Sequence, residues 1–91
     1  MASSTMPSLR VSASGLSNDE IIDSISNAIE HTLGSGASGL LFRTLKLVYH
    51  LEVKSIPAKL DYFQITLSRM LGSAICNQIV AYAASDMNKR R

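Results

Sequence analysis

His31, His50 and Cys76 are the side chains of this sequence best suited to metal binding or nucleophilic attack. Their spacing does not support either role. Structural and catalytic zinc sites pair cysteines or histidines a few residues apart, and none of these three lies three or four positions from another. No metal site is expected. His31 is expected near a helix end and His50 on a solvated helix face. Cys76 has Ala74, Ile75 and Ile79 as neighbours, an apolar setting that predicts a buried, inert thiol. Serines are plentiful, but no Gly-x-Ser-x-Gly elbow is present. Asp19, Glu20 and Asp23 are clustered where a helix begins, and the helix dipole accounts for negative charge there. The residues therefore give no catalytic, cofactor-binding or metal-ligating set, and a non-enzyme is expected.

Two features remain that could bind something. Gly34-Ser-Gly-Ala-Ser-Gly39 precedes a helix and could offer backbone N–H groups to an anion. It lacks the Gly-Lys-Ser/Thr of a P-loop and follows no predicted strand, so a helix stop followed by a helix start is its simpler reading. The second feature is basic. Arg43, Lys46 and His50 recur at i, i+3 and i+7, with Lys54 beyond them, and Lys89, Arg90 and Arg91 close the sequence. These six residues, without Lys54, make the expected interaction surface. Phe42, Tyr49, Tyr62, Phe63 and Tyr82 fall mostly on apolar faces and do not interleave with the cations as a base-stacking platform would.

The elements that position these residues are helices. Ser17-Asn18-Asp19-Glu20 reads as a capping box. Ile22, Ile25, Ile29 and Leu33 follow at helical spacing, and Gly34 predicts a left-handed C-cap, giving a helix over 18–33. A second helix is expected over 37–52. Its apolar residues cover more than half its circumference, which marks it as the central helix or as an interface. Ile56-Pro57 is expected to start a third, with Leu60, Phe63, Leu67, Met70 and Leu71 as its stripe and Gly72 as its stop. A fourth is expected over 74–86, capped by Ser73, with Ile75, Ile79, Tyr82 and Ala83 on one face.

A shift of 38 residues superposes the first and third of these helices: Ile25 falls on Phe63, Ile29 on Leu67, and Leu33-Gly34-Ser35 on Leu71-Gly72-Ser73. The expected fold is thus all-α, a four-helix domain of two helix–glycine–helix hairpins that cover one another's apolar faces. Residues 1–16 are Ser-rich and are expected to form a disordered leader, 17–86 the domain, and 87–91 a fraying basic end. The chain has 91 residues, 46% of them hydrophobic, which supports one small domain and excludes a wholly disordered one. One cysteine excludes an internal disulfide framework, and no apolar run approaches the roughly 18 residues of a membrane span. A reducing cytoplasmic setting is the expectation. Because the second helix is apolar over so much of its surface, dimerisation is a reasonable extra source of burial for so small a domain.

The middle of the sequence resembles a small archaeal helical domain, the nitrosopumilus output domain family. The residues that carry the likeness are Thr32-Leu33-Gly34, Ala37, Leu41, Ile56-Pro57, Leu60, Phe63, Leu67, Met70-Leu71-Gly72 and Ala74. The resemblance covers about 20–85 and implies an archaeal, cytoplasmic, all-helical module with a signalling or protein-interaction role and no catalytic residues. The expected function is therefore a non-catalytic regulatory output module, with a protein or a second copy as partner. The competing expectation is a small nucleic-acid-binding regulator using the cations of the second helix and of the C-terminal end. Charge weighs against it. Between Ser17 and Asp86 the chain has Arg43, Lys46, Lys54, Lys59 and Arg69 against all seven acids, a net charge of −2. The overall +2 comes from Arg10, Lys89, Arg90 and Arg91, on segments expected to be mobile.

Overall fold

Ser17 and Glu20 form the capping box that their spacing predicts. The Ser17 hydroxyl accepts from the Glu20 N–H at 3.2 Å, and the Glu20 carboxylate accepts from the Ser17 N–H at 3.0 Å. In this computed structural model, which describes residues 9–90, the pair opens a helix over Asn18–Leu33. Gly34 ends it with φ +108° and ψ 169°, a glycine conformation but not the left-handed cap expected, its N–H donating to Glu30 O at 2.9 Å. Gly72 repeats the device at φ +87°, donating to Ser68 O at 2.9 Å. The internal repeat thus holds at its stops, and also in the core, where Ile25, Phe63, Ile29 and Leu67 are all fully buried.

The described residues hold six helical segments: α1 (Leu9–Ala13), α2 (Asn18–Leu33), α3 (Ala37–Tyr49), a 3-10 segment (Val53–Ala58), α4 (Leu60–Leu71) and α5 (Ser73–Arg90). The fold is all-helical, with more segments than the four expected. Residues 1–8 and 91 lie outside the described part, and with them half of the expected leader.

The other half is not disordered. Leu9 and Ala13 are buried one helical turn apart, and α1 packs on α4 and α5. The Leu9 N–H donates to Gln64 Oε1 at 3.0 Å, and Arg10 pairs with Asp61 at 3.4 Å on the surface. A helix of five residues has no stability of its own, so this one forms because its apolar side is covered.

α3 is shorter than expected. It stops where His50 adopts φ +56°, and the N–H groups of His50 and Leu51 turn back to Leu45 O. This bend sends Leu51, and then Ile56, into the core. Pro57 does not open α4. It lies inside the 3-10 segment, and α4 begins after it, with Phe63 N–H donating to Lys59 O at 2.9 Å.

The central helix is α5, not α3. It packs against α2, α4 and α1, while α3 lies against α2. α5 suits the centre because its stripe is narrow and continuous: Cys76, Ile79, Val80, Ala83, Ala84 and Met87 are buried, and the two alanines allow close approach. The buried Met87 carries the helix one turn past the expected end, so residues 87–90 do not fray from it. Tyr82, expected on the apolar face, is more than a third exposed and stacks on His31 with ring centroids 4.3 Å apart. On α2 the buried face is Ile21, Ser24, Ile25, Ala28 and Ile29. Ile22 sits at its edge and Leu33 is exposed, so the stripe is rotated by about one residue from the expected one.

Candidate functional site

α3 has a side for the core and two sides for solvent. Leu41 and Leu45 are buried, with Phe42 and Tyr49 packed beside them. Around the helix from these, Leu40, Leu47 and Val48 are exposed by 70%, 67% and 61%. Between the two apolar faces run Arg43, Lys46 and His50, all exposed, as their i, i+3, i+7 spacing requires. α3 carries no acidic residue that could pair with them.

The turn after α3 brings the 3-10 segment against this ridge and makes a groove of about 450 Å³. Phe42, Arg43, Lys46 and Leu47 form one wall, and Glu52, Val53 and Lys54 the other. The groove therefore has apolar surface from Phe42, Leu47 and Val53 under a rim of three cations and one carboxylate. None of the three cations has an ion-pair partner among the described residues.

A second groove of about 430 Å³ lies on the other side of Phe42. Its lining is of the opposite sign: Asp19, Glu20 and Asp23 from the first turns of α2, with Ile22, Ser26, Phe42 and Arg90. The capping hydrogen bonds from Ser17, the backbone one foremost, hold the Glu20 carboxyl below the usual carboxylate range. A role as dipole partners explains why the three carboxylates stand at the start of α2. It does not foretell the α3 side chain that closes a groove over them.

The C-terminal part of the expected basic surface does not join the first groove. Arg90 is half-buried and committed to two carboxylates. Its Nη2 donates to Asp23 Oδ2 at 2.8 Å and its Nε to Asp86 Oδ2 at 3.1 Å. Both bonds raise its already high pKa. Arg10 and Arg90 thus sit on packed helices with carboxylate partners, not on mobile tails. Lys89 is exposed beside them, and Arg91 lies outside the described residues.

The Gly34–Gly39 segment does gather an anion, but the chain supplies it. Glu30 accepts from the N–H groups of Gly36 and Ser38 at 3.1–3.2 Å and from the Ser38 hydroxyl at 2.7 Å. The Ser38 hydroxyl, followed by the two backbone donors, lowers the Glu30 pKa. An anion from outside would have to displace this carboxylate.

Cys76 is buried, its Sγ–H donating to Gln64 O at 3.4 Å, and burial raises its pKa. That is the opposite of what a nucleophile requires. Among the described residues, no group of three or more His, Cys, Asp or Glu side chains is placed to hold a metal ion. No described helix is long and apolar enough to cross a membrane. No family model, curated protein or solved structure matches this chain.

Proposed function

We propose that this chain is a non-catalytic protein-interaction module, of the regulatory output kind that its family resemblance implies, working in a reducing cytoplasm. Its binding element is α3. The observation that carries this reading is the exposure of Leu40, Leu47 and Val48 on a helix whose other apolar side is already in the core. Single exposed leucines are ordinary, but three apolar residues on one helix beside a groove make a patch that water solvates poorly. Arg43, Lys46 and Lys54 at its border, without ion-pair partners among the described residues, would orient an acidic partner and quicken its arrival. The nucleic-acid reading draws on the same cations, but Arg90 is engaged with Asp23 and Asp86.

The test compares purified wild-type chain with the Leu40→Ser/Leu47→Ser double variant, both positions being exposed. A protein captured from extract, or a second copy, counts as the partner when its affinity falls about tenfold or more for the variant while the melting temperature is kept. Wild-type chain that holds neither a second protein nor a second copy overturns the proposal. So does a gel shift of DNA or RNA that fades with salt and disappears in Arg43→Glu/Lys46→Glu, which would establish the alternative.

A further inference from the structure

Phe42 lines two neighbouring grooves of opposite charge. On one side are three carboxylates and one guanidinium, on the other three cations and one carboxylate. Each groove holds an exposed or half-buried aliphatic side chain, Ile22 in the acidic one and Leu47 in the basic one. The two charged sets are adjacent, yet no ion pair joins them within the described residues.

An interface between two identical chains must be complementary to itself. A two-fold axis through the middle of the contact exchanges the two sides of each face. A patch on one side of the axis then meets the patch from the other side of the partner. A face with opposite charges on its two halves and an aromatic residue at the boundary satisfies this requirement. We propose that the surface centred on Phe42 is a homodimer interface. The acidic rim beside Phe42 in each copy faces the basic rim of the other, and the two Phe42 rings meet on the axis. Each copy then sets Asp19 and Asp23 against the partner's cations, and Ile22 against the partner's Leu47. The inference rests on the protein-interaction reading above and names the partner as a second copy of this chain.

The experiment is sedimentation equilibrium on the full chain at low salt, with Lys46→Glu, Asp19→Lys and their equimolar mixture. Lys46 and Asp19 are both exposed; Asp19→Lys gives up a favourable charge in the first turn of α2 but leaves the Ser17–Glu20 cap and the core, so both reversals should stay folded, and circular dichroism melts check this. Arg43→Glu, also at an exposed position, is the second basic-side variant if Lys46→Glu melts early. The expected result is a wild-type dimer that dissociates as salt is raised, since exposed charges are screened. Each reversal alone should weaken dimerisation at least about tenfold, because the symmetric contact contains the clash twice. The mixture should regain the dimer, because the carboxylate introduced in one chain then faces the ammonium introduced in the other. Wild-type chain that sediments as one chain at about millimolar concentration overturns the proposal and leaves the interaction reading standing with a foreign partner. A dimer indifferent to both reversals, or folded variants whose mixture stays monomeric, overturns it as well.

Discussion

The Ser24 hydroxyl of α2 donates to Asp86 Oδ2 of α5 at 2.7 Å, and the same oxygen accepts from Arg90 Nε. Ser24 is fully buried on the α2 face that meets the central helix. The bond therefore satisfies a polar group in the main helix–helix contact and gives that contact a register that apolar packing alone would leave loose. Arg90 extends it to Asp23, so the last turn of α5 is tied to the first turns of α2 at two points.

This pair sets an acid dependence. The Ser24 hydroxyl foremost holds the Asp86 pKa below its ordinary value; burial opposes it, and the Arg90 guanidinium adds to the lowering. A carboxyl with a depressed folded pKa contributes stability above its unfolded pKa of about 4, and that contribution is lost as pH falls through the lower folded value. Asp86→Asn should therefore lower the melting temperature at pH 7 and flatten its fall between about pH 5 and pH 3. Ser24→Ala should cost about 1–2 kcal/mol at pH 7, or several degrees in a domain of this size. Thermal melts of the three proteins across that pH range check both effects. An Asp86→Asn curve parallel to wild type would show that Asp86 ionisation does not set the acid dependence, and one that coincides with it would show that the bond adds nothing to stability.

Gly34 and Gly39 should respond to alanine with opposite signs. A Cβ at either position meets no heavy atom within 4 Å, so sterics with neighbours do not decide. Backbone conformation does. Gly34 has φ +108°, and an alanine there should cost about 1–2 kcal/mol. Gly39 lies within α3, and Gly39→Ala should stabilise by up to about 1 kcal/mol through helix propensity. Denaturant midpoints measured at equal m-value separate the two.

Leu9 and Met87 belong to the fold, and Leu40 does not. Leu9 and Met87 are fully buried on α1 and α5, in segments whose composition reads as terminal tail. Leu9→Ala and Met87→Ala should each cost about 2–4 kcal/mol, as other core truncations do. Leu40→Ala, at 70% exposure, should stay within about 0.5 kcal/mol of wild type. Urea unfolding of the three variants ranks them. An innocuous Leu9→Ala would mean that α1 rests on the surface of α4 and α5 without contributing to their packing.

The features legible in the sequence are those that neighbouring residues decide between themselves. Ser17 with Glu20, and the stops at Gly34 and Gly72, are local contests between a side chain or a positive φ and the next turn. α1 is illegible because five residues show no period, and the Leu9 N–H finds Gln64 across 55 positions. The sequence leaves α3 open as either the centre or an interface for a different reason. Apolar content is highest on α3, but centrality depends on how many faces find partners, and the alanines of α5 admit more neighbours than the leucines of α3. Arg90 looks like a free cation in the sequence because Asp23 lies 67 positions away. The two grooves are hidden likewise: each charge set is visible, while their meeting at Phe42 depends on how α3 lies on α2.

Glu30 gives a prediction about dynamics. Its carboxylate takes the N–H groups of Gly36 and Ser38 at the start of α3, donors that the helix itself leaves without partners. α3 packs chiefly on α2, so this cap holds a helix with little other anchorage. In Glu30→Gln the negative charge is gone, and with it the charge-assisted part of the cap. Amide exchange at Gly36 and Ser38 should quicken, and the first turn of α3 should follow, while α5 amides keep their protection. In wild type the same loosening should appear as pH falls below the usual Glu range, because the lowered Glu30 pKa marks a contribution that protonation removes. Native-state hydrogen exchange read residue by residue distinguishes this from general destabilisation, in which α3 and α5 would lose protection together.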